Sequence, residues 1–133
     1  MSTRPQFSPM PVFNATTGQA MAGNLTSLVT IIQKLSMISY GVSWSGSTPV
    51  GTLSVQVSND YAQNPDGSVK TAGTWNTVIL NVGGTPSTTI AVSGNTGNGF
   101  IDIDQMAAYA IRLIYTAGSG TGTINAVINA KVA

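Results

Sequence analysis

The stretch PVGTLSVQVSND, residues 49–60, carries the clearest structural pattern in the chain. Leu53, Val55 and Val57 alternate with serine and glutamine, between a Pro-Val-Gly turn signal and a terminal Asn-Asp turn signal. Such alternation is typical of a strand that has one face on a core and the other in water. The sequence therefore predicts a half-buried strand over residues 51–58.

Similar segments recur along the chain from residue 25 onward, separated by short clusters of Gly, Pro, Asn, Asp and Ser. These separators are turn formers, and the segments between them are rich in the Val, Ile and Thr that strands prefer. Residues 28–38 also fit the spacing of a short helix, but their Thr and Ile content favours a strand. Eight strands are predicted, at 25–33, 36–45, 51–58, 75–81, 87–93, 99–103, 108–116 and 121–131.

Eight short strands in one domain predict an all-β fold, an antiparallel β-sandwich of jelly-roll type. Alternation assigns the larger apolar residues of four strands to the core. A short echo between GTLSVQVSN at 51–59 and GTINAVINA at 122–130 indicates equivalent strands in the two sheets. The predicted core residues are Ile38, Tyr40, Val42, Trp44, Leu53, Val55, Val57, Tyr109, Ile111, Leu113, Tyr115, Ile124, Ala126 and Ile128.

The first 24 residues differ from the rest because three prolines interrupt them. Proline does not fit a helix interior or a central strand, so we predict an extended arm at 1–24 and a sandwich domain at 25–133. The arm contains apolar residues, which a disordered tail would lack. They are candidate partner-binding anchors, and the sequence leaves open whether they pack on a neighbouring chain or on their own domain: Phe7, Met10, Val12 and Phe13.

The composition excludes several classes of function. Charged residues make up 7% of the chain, against roughly 25% in an average soluble domain. Because the five basic residues are scattered, we expect no nucleic-acid partner. His, Cys and Glu are absent, so we expect neither an enzyme nor a cofactor. We also expect no membrane partner and no Sec export, since long apolar runs are missing.

Four aspartates and one arginine carry the possible site chemistry. Asp60 and Asp66 in the loop NDYAQNPDGS are candidate calcium ligands, although the ordered spacing of an EF-hand is missing and a turn explains the loop better. Asp102 and Asp104 lie on one face of a strand, without the opposed geometry of a glycosidase pair. We expect either a solvated outer face at this strand or a structural ion pair of Asp102 or Asp104 with Arg112.

Residues spread over positions 42–131 form one pattern of Trp, Gly, Pro, Tyr, Thr and a terminal Lys: Trp44, Gly46, Pro49, Gly51, Thr52, Leu53, Ser58, Asn59, Asp60, Trp75, Tyr109, Arg112, Tyr115, Thr116, Ser119, Gly120, Gly122 and Lys131. In this pattern the chain resembles a group of small virion proteins of tailed bacteriophages. The resemblance implies a non-enzymatic virion protein, first a capsid decoration (cement) protein, otherwise a head or tail fibre module or a small tail protein. It also implies as partners the major capsid protein or other virion subunits, and the chain itself as a homo-oligomer, with a trimer favoured. The implied location is the capsid surface, after a stage in the host cytoplasm.

An alternative hypothesis is a carbohydrate-binding or adhesin-like module. In that case Tyr61, Trp75 and the loop 59–74 would form the binding tip. The N-terminal arm separates the two hypotheses, because apolar anchors serve assembly and have no use in a lectin.

Overall fold

A computed structural model describes residues 6–13, 18–104 and 106–132, and for residues 6–9 it describes the backbone. Within these ranges every regular element is a β-strand, and every strand pair is antiparallel. The strands are β1 (Gln6–Pro11), β2 (Gln19–Ala20), β3 (Leu25–Thr26), β4 (Thr30–Ile31), β5 (Met37–Ser58), β6 (Ala62–Gln63), β7 (Val69–Thr71), β8 (Asn76–Thr77), β9 (Leu80–Val82), β10 (Thr85–Ser87), β11 (Ile90–Val92), β12 (Thr96–Ile103) and β13 (Ala110–Lys131).

Two long strands form the centre of the molecule. β5 and β13 are each 22 residues long, and they pair from Met37 opposite Lys131 to Ser58 opposite Ala110. The alternation that predicts shorter strands continues on both sides of the intervening turn signals. The structure thereby joins four predicted strands in pairs, 36–45 with 51–58 and 108–116 with 121–131.

The ribbon made by β5 and β13 is bent at its middle. Residues 45–48 of β5 and 118–121 of β13 are exposed, and the register shifts on both sides of Ser119. Thr48 and Gly120 have positive φ angles of 51° and 75°. Such bulges and left-handed residues bend a strand pair without ending it. The clusters of Gly, Ser and Pro that predict turns are therefore the two sides of one bend.

A chain of backbone hydrogen bonds shows that the two halves of the ribbon face each other. Leu113 and Ala126 of β13 would be about 43 Å apart in a straight strand. Ser27 N–H donates to the Leu113 carbonyl, Leu28 N–H to the Val12 carbonyl, and Val12 N–H to the Ala126 carbonyl. These hydrogen bonds cross three interstrand spacings, so Leu113 and Ala126 are connected over about 15 Å. The ribbon is thus folded back on itself as a sandwich.

The core lies between the two halves. In the half that contains residues 37–45, Tyr40 and Ile128 are fully buried, and in the half that contains residues 51–58, Leu53 and Tyr115 are. All four belong to one hydrophobic cluster. The predicted inward faces are confirmed except that Val57 and Tyr109 are half-buried. The antiparallel β-sandwich predicted from the sequence is confirmed, and the echoing segments 51–59 and 122–130 lie in opposite layers.

Shorter strands extend both layers. β12 pairs with the first half of β5, while β11 and β8 pair with its second half. β1 and β2 pair with the second half of β13, and β3 and β4 with its first half. Two separate hairpins, β6–β7 and β9–β10, complete the described strands.

The described part of the segment predicted to be an arm is integrated into this sandwich. β1 is extended, as expected, but it pairs with β13 of its own chain. Val12, Phe13 and Met21 are buried in the core, with exposures of 1%, 7% and 0%. The predicted boundary after residue 24 therefore divides a single core. Burial arises because apolar residues of this segment close the open side between the two layers.

We expect Gly120→Ala to destabilise the protein more than Gly84→Ala. Both glycines have similar positive φ angles, 75° and 86°, so both substitutions cost roughly 1–2 kcal/mol of backbone strain. A β-carbon on Gly120 would also overlap the Thr48 carbonyl oxygen, whereas a β-carbon on Gly84 meets no atom within 4 Å. Urea denaturation should show an additional loss of about 1–3 kcal/mol for Gly120→Ala. Equal losses of stability in the two variants would show that the bend accommodates a β-carbon at residue 120.

We expect Phe13→Ala to lower the free energy of unfolding by about 3–5 kcal/mol, because it leaves a cavity in the core. Met10→Ala is the control, since Met10 is 44% exposed and its truncation should cost less than about 0.5 kcal/mol. Chemical denaturation of both variants measures the difference. Similar stabilities of the two variants would mean that the N-terminal segment is a detachable arm after all.

Candidate functional site: a polar sheet face with an exposed phenylalanine

A row of apolar residues crosses the outer face of the layer that contains β12 and the first half of β5. Phe100 of β12 lies opposite Gly41 of β5, which lies opposite Val127 of β13, which lies opposite Pro11 of β1. Neighbouring inward residues such as Tyr40 are buried, so strand alternation turns this row to solvent. We call these four residues the apolar row.

The apolar row is a ridge beside a depression. Phe100 is 68% exposed and Val127 is 38% exposed. Gly41 lies between them, and nothing lies within 4 Å of the position that a β-carbon would take there. The two side chains form the walls of an open depression with the Gly41 backbone as its floor. Any substitution of Gly41 would therefore fill the depression.

Polar residues flank the apolar row on both sides, and all but one of those named here are uncharged. Asn98, Ser43 and Asn125 form the adjacent row on one side. Asp102, Ser39 and Asn129 form the row on the other side, where Asp102 introduces a charge. Hydroxyl and amide groups can form hydrogen bonds across a contact without the large desolvation cost of a buried ion.

This face has the composition of a protein–protein contact. An aromatic and an aliphatic side chain are exposed at its centre, with neutral polar groups on one side and a row that includes Asp102 on the other. Interfaces favour an apolar, aromatic centre that is depleted of charge, inside a polar rim. Phe100 is not among the site residues predicted from the sequence. The alternation in FIDID contains the signal, because it puts Phe100 on the same solvent-facing side as Asp102.

The loop between β5 and β8 is a second candidate region, and its aromatic residues serve the fold. Tyr61 is 6% exposed, and its ring lies 5.7 Å from that of Trp75. The Arg112 guanidinium covers the Trp75 ring at 4.1 Å, a cation–π distance. Sugar-binding platforms need free aromatic faces, so this geometry gives no support to a binding tip made of Tyr61 and Trp75.

The predicted ion pair of Arg112 is wrong. Arg112 lies opposite Gln56 in the second half of the ribbon, and its Nε donates to Gln56 Oε1 at 2.9 Å. Asp102 lies in the other layer, opposite Ser39. Asp102 and Asp104 are both exposed. Strand register and the Trp75 ring, rather than opposite charge, therefore determine the contacts of Arg112.

Asp60 and Asp66, the two candidate calcium ligands, each accept hydrogen bonds that stabilise a different turn. Asp60 Oδ1 accepts hydrogen bonds from Thr74 N–H at 2.6 Å and from the Ser58 hydroxyl at 2.8 Å. Asp66 Oδ1 accepts from the Ser68 hydroxyl at 2.6 Å and from Ser68 N–H at 2.9 Å. These bonds lower the pKa of each carboxyl. Residues 6–13, 18–104 and 106–132 contain no cluster of three or more metal-ligating side chains of His, Cys, Asp or Glu.

Membrane-crossing helices are also lacking in the described ranges, where no helix has the length and apolarity to span a bilayer.

Comparison with known proteins gives a likeness of fold. No protein-family model matches the chain, and no curated protein matches it. The crystal structure of the SPBc2 prophage-derived protein YomS is similar, with a TM-score of 0.55 and 9% sequence identity. The match covers 97% of this chain and 96% of that chain. The two proteins therefore share the architecture of the whole sandwich.

We expect Asp60→Asn to reduce the loss of stability in acid. Because hydrogen bonds hold the pKa of Asp60 below its ordinary value of 3.8, its contribution is fully present above that pH. The contribution disappears as the pH falls through the lower, folded-state pKa. Urea denaturation across this acid range should show a shallower decline for the variant. Thr74→Ala keeps the main-chain donor, which is the largest cause of the lowered pKa, and removes a smaller side-chain contribution, so it should keep most of the wild-type profile. An unchanged profile in Asp60→Asn would contradict this role.

Proposed function

We propose that the chain is a non-enzymatic structural subunit of a tailed-phage particle, and that it decorates and stabilises the capsid shell. The apolar row inside a polar face of low charge is the observation that carries the proposal. A decoration protein acts by binding the assembled shell, and this stabilises the shell by mass action.

The chemistry of the face supports this role. A subunit that packs on a shell buries a wide surface, and each unpaired charge buried there would cost several kcal/mol. Between the Asn98 row and the apolar row the face presents amides, hydroxyls and apolar groups only. Phe100 and Val127 supply apolar area, and Asn98 and Asn125 supply hydrogen bonds that can fix the orientation.

Two further lines of support concern origin. The sequence resemblance to small virion proteins of tailed phages covers residues 42–131. The fold likeness is to a prophage-derived protein and extends over nearly the whole of both chains. Both lines point to a phage gene product, and the capsid as the specific site is our proposal.

The contact differs from the one expected from the sequence. Val12 and Phe13 are buried in the core, so they cannot bind a partner. The side chain of Phe7 lies outside the described part of the chain, and Met10 is exposed. We therefore place the shell contact on the sandwich face instead of on an N-terminal arm.

Quantitative mass spectrometry of purified particles tests the proposal. The particles are those of the phage or prophage that encodes the chain. A copy number comparable to that of the major shell subunit is expected for a decoration protein. A small fraction of that number would assign the chain to a tail or fibre instead. Absence from the particles would overturn the virion assignment as a whole.

We expect Val127→Ser to weaken binding to particles that lack this protein by at least about tenfold, since burial of a valine contributes about 1.5 kcal/mol or more. Ile79→Ser is the matched control, because Ile79 is 70% exposed and lies in the segment between β8 and β9, away from this face. Co-sedimentation over a range of protein concentrations measures both affinities. Equal weakening by the two variants, or none by Val127→Ser, would place the contact elsewhere.

A further inference from the structure

β12 presents an open sheet edge of eight residues. On one side it pairs with β5 from Thr96 to Ile103 without a register shift. On its other side, no strand in the described part of the chain pairs with it. Its outward backbone groups make no hydrogen bond within the same ranges. Such an edge is a template for one more strand.

The opposite edge of the same layer is protected. β1 contains Pro9 and Pro11, and its register shifts between Phe7 and Met10. Proline lacks the N–H that a neighbouring strand needs, and a bulge turns the edge away. β12 has no proline, no lysine and no bulge. Of the two edges of this layer, β12 is therefore the one that can accept a strand.

The sequence of β12 is complementary to itself in one antiparallel register. When the strand is paired with a second copy about a two-fold axis at Phe100, the two Phe100 side chains lie next to each other on the outer face. On the inner face, Gly99 lies opposite Ile101 of the second copy, and Gly97 lies opposite Ile103. Each large residue thus faces a glycine, so the two cores approach without crowding.

The polar residues fit the same register. Asp102 carries the one charge of β12, and it lies opposite Asn98 of the second copy. An amide can donate to that carboxylate. The two Asp102 carboxylates are then offset by four residues, about 13 Å, which exceeds the screening length of about 8 Å at physiological salt. A register centred on residue 102 would instead place like charges side by side.

We propose that β12 pairs with β12 of a second copy of this chain, antiparallel and centred on Phe100. The pairing joins the layer that contains β12 in one copy to the same layer of the second copy, as one continuous sheet. It also joins the two apolar rows end to end, with Phe100 and its symmetry mate at the centre. The pairing is argued from the edge alone, while the use of the doubled row as a shell contact depends on the proposed function.

A self-complementary contact of this kind closes with two-fold symmetry, whereas a trimer needs two different surfaces that meet head to tail. The edge therefore favours a dimer as the basic unit over the trimer that was expected from the sequence.

Sedimentation velocity of the full chain over a concentration series tests the pairing. We expect a reversible monomer–dimer equilibrium. Asn98→Asp should weaken it at least about tenfold, because like charges then lie opposite each other at two symmetric positions. Asn125→Asp is the matched control, since Asn125 lies in the same row on β13, two strands away from the edge. It should leave the equilibrium unchanged.

The double variant Asn98→Asp with Asp102→Asn tests the register itself. The exchange restores one carboxylate opposite one amide, so dimerisation should return to near the wild-type level. Failure of this rescue, equal weakening by Asn125→Asp, or a monomer at every concentration would each overturn the proposal. The particle measurements that test the shell function do not depend on these outcomes.

Disulfide trapping gives an independent readout, because the chain contains no cysteine. Directly opposed residues of two antiparallel strands lie within the distance that a disulfide spans. Asn98→Cys mixed with Asp102→Cys should form a crosslinked heterodimer under mild oxidation. Each variant alone should crosslink far less. Crosslinking that is equal with and without mixing would contradict the register, and no crosslinking in the mixture would contradict the pairing.

Discussion

The pairing of β5 with β13 determines where every other part of the sandwich lies. Each strand contributes to both layers, so the bend around Thr48 and Gly120 sets how the two layers face each other. β12, β11 and β8 attach along one side of the bent ribbon, and β1 to β4 attach along the other. An expansion of the bend would therefore disturb the core and both outer faces at once.

The outer faces follow from the same alternation that fills the core. Ile101 is buried against the core while its neighbour Phe100 is 68% exposed, because successive side chains of a strand point to opposite faces. Because the chain has few charges, the groups around Phe100 are mainly amides and hydroxyls, with Asp102 on one side. A face of this kind is suited to contact with other subunits. The open edge of β12 lies at its border, where a second copy can extend the sheet.

Much of the fold could be predicted from the sequence, since alternation is a local signal. It identified the inward faces that include Tyr40 and Leu53, and the sandwich that they fill. It could not distinguish a turn from a paired bend, because both use Gly, Ser and Pro. Charge alone predicted an aspartate partner for Arg112. In the structure Arg112 contacts Gln56, which the strand register places opposite it, and Trp75, which the packing of the loop brings to it. The burial of Val12 was not predicted either, because the residues that its backbone contacts are distant in sequence.

The central position of β13 has a consequence for synthesis of the protein. The ribosome completes β5 at residue 58, but the partner strand begins at residue 110 and ends at residue 131. Until then one edge of β5 lacks its partner strand, and the core lacks Ile111, Leu113, Tyr115, Ile124 and Ile128. Non-local pairing of this kind makes folding slow and leaves strand edges exposed to other chains. β5 therefore acquires its full partner only after residue 131 has been synthesised, and its unpaired edge is open to other chains until then.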